Sequence, residues 1–203
     1  MYNKKTRVEI APSAPLLLAA FIFAASGKCL AAVLTAALFH ELGHAAALRL
    51  CGGKTERIRV SAFGVRMEIQ NAARLSYGQE ALCILAGPLT NITLSWVLSL
   101  AGERIEAAYL FAGAQLVLGV FNLLPVAALD GGRLLWIGAA WRQDPFFADR
   151  LCRWVSLAVL AAGLTLGLLL WLRTRSGFLL LGMVGILCCT VRDLGLVNSG
   201  KTR

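Results

Sequence analysis

The sequence has few charged residues and no long polar segment. Charged residues make up 15% of its 203 residues, whereas a soluble domain carries about 25%. The longest polar stretch, residues 52–79, is too short and too mixed to form a soluble domain of its own. Histidine occurs only twice, and the six cysteines include no C-x-x-C pair. The cysteines are therefore interpreted as small apolar packing residues, reduced where they face the cytoplasm.

Apolar runs fill most of the chain. Three uncharged runs approach the ~20 residues with which a helix crosses a bilayer: 81–102, 107–129 and 154–172. Three shorter runs bring the candidates to six: 14–26, 29–50 and 176–191. We predict a mainly α fold, a polytopic membrane bundle of about six transmembrane helices, forming one domain with no appended soluble domain. The first run also resembles a secretory signal peptide, but a retained helix is favoured because its removal would leave five spans.

The net charge of +9 is explained by the topology of such a bundle. With the amino terminus inside and six spans following, sixteen of the twenty Lys and Arg residues lie on the side of the amino terminus and four on the other. The positive-inside rule then places both termini in the cytoplasm. We therefore expect a multi-pass protein of the cell membrane, with the lipid bilayer as a partner and no nucleic acid.

Residues 57–70 change from helical to strand-like periodicity. Apolar and polar residues alternate from Arg57 to Ser61 and again from Val65 to Gln70, on either side of Gly64. This pattern predicts a small β-hairpin directly after the second helix. Two interpretations remain open: the hairpin only covers the bundle, or its edge strand pairs with an extended peptide.

Two later spans contain helix-breaking residues. Gly87 and Pro88 weaken the regular hydrogen bonding of the third span, and Asn91 follows one turn later with an inter-helix hydrogen bond as its simplest role. In the fourth span, Pro125 and a pair of glycines lie on either side of Asp130. This pattern predicts that the fourth helix ends near the proline, continues as extended backbone and restarts after the aspartate.

The two histidines lie four residues apart in an apolar helix, within the segment ALFHELGHAAAL of residues 37–48. Residues four apart on a helix point in nearly the same direction, so His40 and His44 can hold one metal ion. Glu41 lies beside that line, within reach of a water at the metal. H-E-x-x-H on a helix is the zinc-peptidase pattern, with a glutamate as general base. The alternative is that these side chains pair with each other or with backbone and only stabilise the bundle.

A catalytic zinc site usually has three protein ligands and a water. Among the eleven Asp and Glu residues, only Asp130, apart from Glu41, lies far inside an apolar run at a helix break. Asp130 is therefore the candidate third ligand, and its carboxylate would offset part of the charge of the ion. A second interpretation, compatible with the first, is that Asp130 caps the helix that restarts at Gly131.

Four segments, HELGH, FGVRMEI, AGPLTN and FNLLPVAALDGGR, resemble in this order and spacing the site-2 protease family of intramembrane metalloproteases. The resemblance extends over roughly residues 7–195, and within the family the sequence resembles the branch of stage IV sporulation protein FB. It implies that His40, His44 and Asp130 bind zinc and that Glu41 is catalytic.

The same resemblance implies substrate contacts near the strand that contains Gly64, and near Asn122 and Pro125. The expected chemistry is peptide hydrolysis in regulated intramembrane proteolysis: zinc acidifies water and polarises the scissile carbonyl, and Glu41 takes the proton and returns it. Asn122 or Asn91 is the candidate for a further oxyanion donor.

The expected substrates are transmembrane or membrane-associated proteins. A sporulation sigma-factor precursor, an anti-sigma factor and a signal-peptide remnant all fit, and regulatory membrane partners are compatible with each. Two other functions remain open. A metal-ion transporter would also use intramembrane His and Asp, although these residues form one cluster rather than a relay. A non-catalytic membrane scaffold would use the bundle alone.

Overall fold

The computed structural model describes residues 7–10, 26–61, 64–70, 75–102, 106–174 and 190. Five helices are described: α1 (Gly27–Leu50), α2 (Tyr77–Gly102), α3 (Glu106–Asn122), α4 (Asp130–Arg142) and α5 (Pro145–Thr174). Three strands are described: β1 (Arg7–Ile10), β2 (Lys54–Ser61) and β3 (Gly64–Gln70). The chain divides into two compact units, Met1–Phe121 and Asn122–Arg203, and each is described by itself.

The described part of the chain is mainly helical, as predicted. Three helices are long and apolar enough to cross a membrane, namely α1, α2 and α5, and α3 is a shorter apolar helix. Large apolar side chains are exposed along them, among them Leu42, Trp96 and Leu168, as expected of surfaces that face lipid. The predicted first and last spans lie outside the described residues, apart from Ser26 and Thr190.

Both ends of α1 follow from the local sequence. Ser26 is the N-cap residue, and its side chain accepts a hydrogen bond from the Cys29 backbone N–H at 3.4 Å. At the other end, the backbone N–H groups of Cys51, Gly52 and Gly53 donate to the last carbonyls of the helix. Gly52 has a φ of 75°, a left-handed conformation that favours glycine. The pair of glycines after Cys51 therefore ends this helix.

The starts of α2 and α5 are also encoded locally. The Ser76 backbone N–H donates to Gln79 Oε1 at 3.0 Å, and the Gln79 N–H donates to Ser76 Oγ at 3.3 Å, which is a capping box. The Asp144 carboxylate accepts hydrogen bonds from the backbone N–H groups of Phe146 and Phe147. Pro145 occupies the first helical position, where the backbone N–H that proline lacks would have no partner within the helix.

A three-stranded sheet follows in the order β1-β2-β3. Strands β2 and β3 pair antiparallel, with Ser61 opposite Gly64, and the pairing is irregular between Thr55 and Arg57. Strand β1 pairs parallel to β2. The residues that connect β2 to β3, 62–63, lie outside the described part. Because the strand order is β1-β2-β3, strand β3 forms one edge of the described sheet.

The helices of the first unit approach one another closely at small residues. A Cβ at Gly43 of α1 would lie 2.7 Å from the Ala86 carbonyl oxygen of α2, and a Cβ at Gly119 of α3 would lie 3.1 Å from Asn91 Cβ. Ser95 Oγ donates to the Ala112 carbonyl of α3 at 2.8 Å. Helix α2 continues through Pro88. Small residues and inter-helix hydrogen bonds are the usual means of packing helices in membranes.

In the second unit, a compact turn precedes α4. The Val126 N–H donates to the Leu124 carbonyl at 2.7 Å, and the Leu129 N–H donates to the Val126 carbonyl at 2.8 Å. The prediction of a break near Pro125 is confirmed, since α3 ends at Asn122 and α4 begins at Asp130. The prediction of extended backbone between them is wrong, because a turn satisfies its own N–H groups where an extended segment would leave them without partners.

The turn is held by contacts that only the fold provides. The Ala127 N–H donates to Oγ of Ser156, which is fully buried on α5. Val126 and Leu160 form a buried apolar cluster. The glycine pair that follows Asp130 lies directly under the turn: a Cβ at Gly131 or Gly132 would overlap backbone atoms of residues 123–127. The turn and the first turn of α4 are thus packed backbone against backbone.

Candidate metal centre

Helix α1 presents two imidazole rings to one point. The Nε2 atoms of His40 and His44 lie 3.1 Å apart, with ring centroids separated by 4.7 Å and planes at 88°. Two nitrogen ligands of one tetrahedral zinc ion, each ~2.05 Å from it, lie about 3.3 Å apart. His40 is 5% exposed, and His44 is partly buried. The separation of the two nitrogens therefore fits a single divalent ion of the size of zinc.

The orientation of His44 is set by α2. Its Nδ1 lies 2.8 Å from the carbonyl oxygen of Cys83. A carbonyl can only accept a hydrogen bond, so Nδ1 carries a proton, and in the neutral ring Nε2 then keeps its lone pair. A hydrogen bond from the other ring nitrogen to a carbonyl is the usual way in which proteins fix a metal-binding histidine. The ring is thus in the tautomer that a metal ligand needs.

Gly87 of α2 lies against the same ring. A Cβ added there would meet His44 Nε2, with Cε1 at 2.5 Å and Cδ2 at 2.9 Å. In the sequence, Gly87 indicates only a weakened helix, and its contact with the His44 ring was not predicted. The contact joins residues far apart in the sequence, so no local pattern could have indicated it.

Glu41 follows His40 on α1 and is partly buried. Successive helical residues are about 100° apart around the axis, so Glu41 is displaced from the line of the two histidines. A carboxylate in this position can accept a proton from a water near the imidazole nitrogens without being a ligand in line with them. This is the arrangement that the H-E-x-x-H spacing predicts.

Asp130 belongs to the second unit. It is the first residue of α4 and is 9% exposed. The N-cap residue is Leu129, whose side chain makes no capping hydrogen bond, so the prediction that Asp130 caps a helix starting at Gly131 is wrong. A carboxylate in the first helical turn is still stabilised by the helix dipole. Arg133 Nη1 lies 4.0 Å from Asp130 Oδ1, and Arg133 is half exposed.

The four predicted substrate-binding residues lie on separate elements. Gly64 begins β3, Asn122 ends α3, and Pro125 lies in the turn before α4. Asn91 is fully buried in α2, close to Gly119. Within the described part of the chain, its side-chain oxygen and nitrogen have no hydrogen-bond partner, so the inter-helix hydrogen bond considered for Asn91 is not formed there. Contact of these residues with a substrate stays a prediction.

Comparison with known proteins agrees with the motifs. The chain is 34% identical over 148 residues to Rip3 of Mycobacterium tuberculosis, which is named as a zinc metalloprotease; the match covers 65% of this chain and 37% of Rip3. It is 30% identical over 144 residues to stage IV sporulation protein FB of Bacillus subtilis, covering 69% of this chain and 50% of that protein. No family model matches. The chain spans half or less of the length of these relatives.

A solved structure shows the fold of the chain. The chain superimposes on the site-2 protease of Methanocaldococcus jannaschii with a TM-score of 0.69, covering 96% of this chain and 93% of that one at 20% identity. The fold is thus that of a site-2 protease, and one of its helices carries a histidine pair. The chain belongs to the site-2 protease family and has a relative of the sporulation protein FB type. It is a membrane protein.

Proposed function

We propose that this protein is a zinc-dependent intramembrane metalloendopeptidase that hydrolyses peptide bonds of transmembrane or membrane-associated proteins. One observation carries the proposal: in an H-E-x-x-H helix of membrane-spanning length, two Nε2 atoms lie 3.1 Å apart and one ring is held in the metal-binding tautomer by a backbone carbonyl. The names of the relatives, zinc metalloprotease among them, support hydrolysis over transport or a scaffold role.

We propose that Asp130 joins His40 and His44 as the third zinc ligand. Each of the three residues offers one ligand atom, a donor set that could hold a metal ion, and two imidazoles with one carboxylate suit zinc. Burial of Asp130 at the start of α4 supports this role, since a buried carboxylate is stabilised by a cation beside it. When bound, the ion supplies Lewis-acid polarisation of a carbonyl and acidification of water.

The chain's own residues supply the proton transfers. Glu41 takes the proton of the attacking water and passes it to the leaving amine. Asn122 or Asn91 is proposed as the additional donor to the developing oxyanion.

The sheet is proposed to hold the substrate. A transmembrane substrate is helical, and its carbonyls become reactive only when the segment is unwound. An edge strand offers N–H and C=O groups to an extended peptide, and β3 is such an edge among the described strands. Gly64 at the start of β3, and Pro125 in the turn before α4, are proposed to contact that peptide. A sporulation sigma-factor precursor, an anti-sigma factor and a signal-peptide remnant are candidate substrates.

We also propose six transmembrane helices, both termini in the cytoplasm and one catalytic domain over residues 1–203. The distribution of Lys and Arg supports the orientation. Regulatory membrane proteins are compatible partners.

Substitution of the proposed base tests the function. In cells that contain a candidate membrane substrate, Glu41→Gln should reduce formation of the shortened product by about 100–10,000-fold, while the purified variant keeps its zinc. The matched control is Glu80→Gln, the same change at the start of α2, which should cleave normally. Immunoblotting and elemental analysis measure the two quantities. Substantial turnover by Glu41→Gln would refute its role as base.

A further inference from the structure

The ring of His44 is contacted by α2 at two places within a single helical turn. On one edge of the ring, Nδ1 lies 2.8 Å from the Cys83 carbonyl oxygen. At the opposite end of the ring, Nε2 and the two carbons bonded to it lie against Gly87, so closely that a Cβ at Gly87 would overlap Nε2. Cys83 and Gly87 are four residues apart and share one face of α2. Together they form a shallow surface, which we call the His44 seat.

A left-handed backbone conformation does not explain the glycine. Gly87 lies inside α2, directly before Pro88, and Gly52 is the one glycine with positive φ among the described residues. Alanine is the better helix former at an ordinary helical position, but a proline makes helical backbone less favourable for a preceding residue that carries a Cβ. What glycine provides there is space, and the atoms that fill this space belong to the His44 ring.

The space is not simply that of close helix packing. Gly43 serves that purpose, since a Cβ at Gly43 would meet Thr90 Oγ1 at 2.5 Å and the Ala86 carbonyl oxygen at 2.7 Å, atoms of the facing helix. A Cβ at Gly87 would instead meet Nε2, Cε1 and Cδ2 of His44 and no backbone atom among its three nearest neighbours. The two glycines therefore have different neighbours: Gly43 contacts a helix, and Gly87 contacts the imidazole.

A methyl group at position 87 would force the ring to move. The nearest ring atom is Nε2, the atom that faces His40 Nε2 at 3.1 Å. The ring turns only about its two side-chain bonds, so moving Nε2 away from the methyl group also moves Nδ1 relative to the Cys83 carbonyl. The hydrogen bond that fixes the tautomer and the separation of the two Nε2 atoms would both change.

We propose that the His44 seat, built from the Cys83 carbonyl and the bare Cα of Gly87, positions His44 for metal binding, and that Gly87 is a positioning residue of the site. The proposal rests on the metal site of the proposed function and adds to it a residue that never touches the metal. Loss of a group that orients a metal-binding histidine typically costs about 10–100-fold in metal affinity.

The test is metal binding by glycine variants of the full chain, purified in detergent and stripped of metal. Zn²⁺ affinity is measured by competition with a chelator, and the geometry of the site by the visible absorption of bound Co²⁺. Gly87→Ala should bind Zn²⁺ about 10–100-fold more weakly than the wild type and show an altered Co²⁺ spectrum. Its metal-free form should lose less stability than that of Gly43→Ala, because the helix propensity of alanine offsets part of the cost of a Cβ before Pro88 and of the disturbed His44 hydrogen bond.

Two further variants separate the causes. Gly78→Ala lies on the same helix with nothing within 4 Å of the added Cβ, so its metal affinity should equal that of the wild type. Gly43→Ala pushes α1 and α2 apart, so its metal-free form should unfold at a lower temperature than that of Gly87→Ala.

The outcomes distinguish the role of the His44 seat from the proposed protease function. Wild-type Zn²⁺ affinity and an unchanged Co²⁺ spectrum in Gly87→Ala would overturn the role of the seat and leave the proposed protease intact. A Gly87→Ala protein that fails to fold, or that loses as much stability as Gly43→Ala, would assign the glycine to helix packing and overturn the proposal as well. A wild-type protein that binds no Zn²⁺ would overturn the proposed function and the seat with it.

Discussion

The packing of the turn before α4 predicts a large difference between two glycine-to-alanine substitutions on the same helix. At Gly131, an added Cβ would overlap the Leu123 carbonyl and lie 2.5 Å from the Leu124 carbonyl oxygen. At Gly138, two turns further along α4, it would meet nothing within 4 Å. The chemical change is identical, and only the surroundings differ.

The free energy of unfolding should change in opposite directions. An exposed helical Gly→Ala substitution stabilises by about 0.5–1 kcal/mol, which is the expectation for Gly138→Ala. Gly131→Ala gains the same propensity, but the atoms it overlaps are backbone and cannot rotate away. Overpacking costs about 1–3 kcal/mol or more, so a net loss of about 2 kcal/mol is expected. The two variants should therefore differ by roughly 3 kcal/mol.

Thermal unfolding of the purified protein measures this difference. For a chain of this size each kcal/mol shifts the unfolding temperature by about 2–4 °C, so Gly131→Ala should unfold roughly 6–12 °C below Gly138→Ala. Tryptophan fluorescence can report the transition, because Trp136 and Trp141 lie on α4 itself. If the two variants unfold at the same temperature, the turn does not pack against the start of α4 as described.

Three further substitutions test other parts of the molecule. Asp130→Ala should lower both zinc content and cleavage, and cleavage equal to that of the wild type would contradict the role of Asp130 as a ligand. Ser156→Ala removes the acceptor of the partly buried Ala127 N–H and should destabilise by about 1–3 kcal/mol; an unchanged unfolding temperature would show that this hydrogen bond contributes nothing. Gln115→Met should be neutral or stabilising, because Gln115 is 1% exposed and its Oε1 has no partner in the described part of the chain; a marked loss of stability would reveal a partner for the amide.

The features that could be read from the sequence depend on neighbours along the chain. Ser26 and Gly52 set the ends of α1 through hydrogen bonds and a backbone conformation that involve only adjacent residues. Pro125 marks the break after α3 for the same reason. The four-residue spacing of His40 and His44 places their rings together on any helix, and this spacing alone predicted the pair of Nε2 atoms.

Other features depend on residues that are distant in sequence. The segment before Asp130 was predicted to be extended, but the acceptor in Ser156 and the bare surfaces of Gly131 and Gly132 allow a compact turn. Likewise, the role of Gly87 could not be predicted, because its partner His44 lies on another helix.

By itself, the sequence determined that the chain is mainly helical and apolar enough for a membrane, and that one helix carries two metal-binding nitrogens side by side. These properties follow from composition and from the period of the helix. Only the tertiary structure decided which nitrogen of His44 faces the metal site, since that choice is made by the Cys83 carbonyl 39 residues away. A hydrogen bond between two helices depends on how closely they pack, and here small residues on α1 and α2 set that distance.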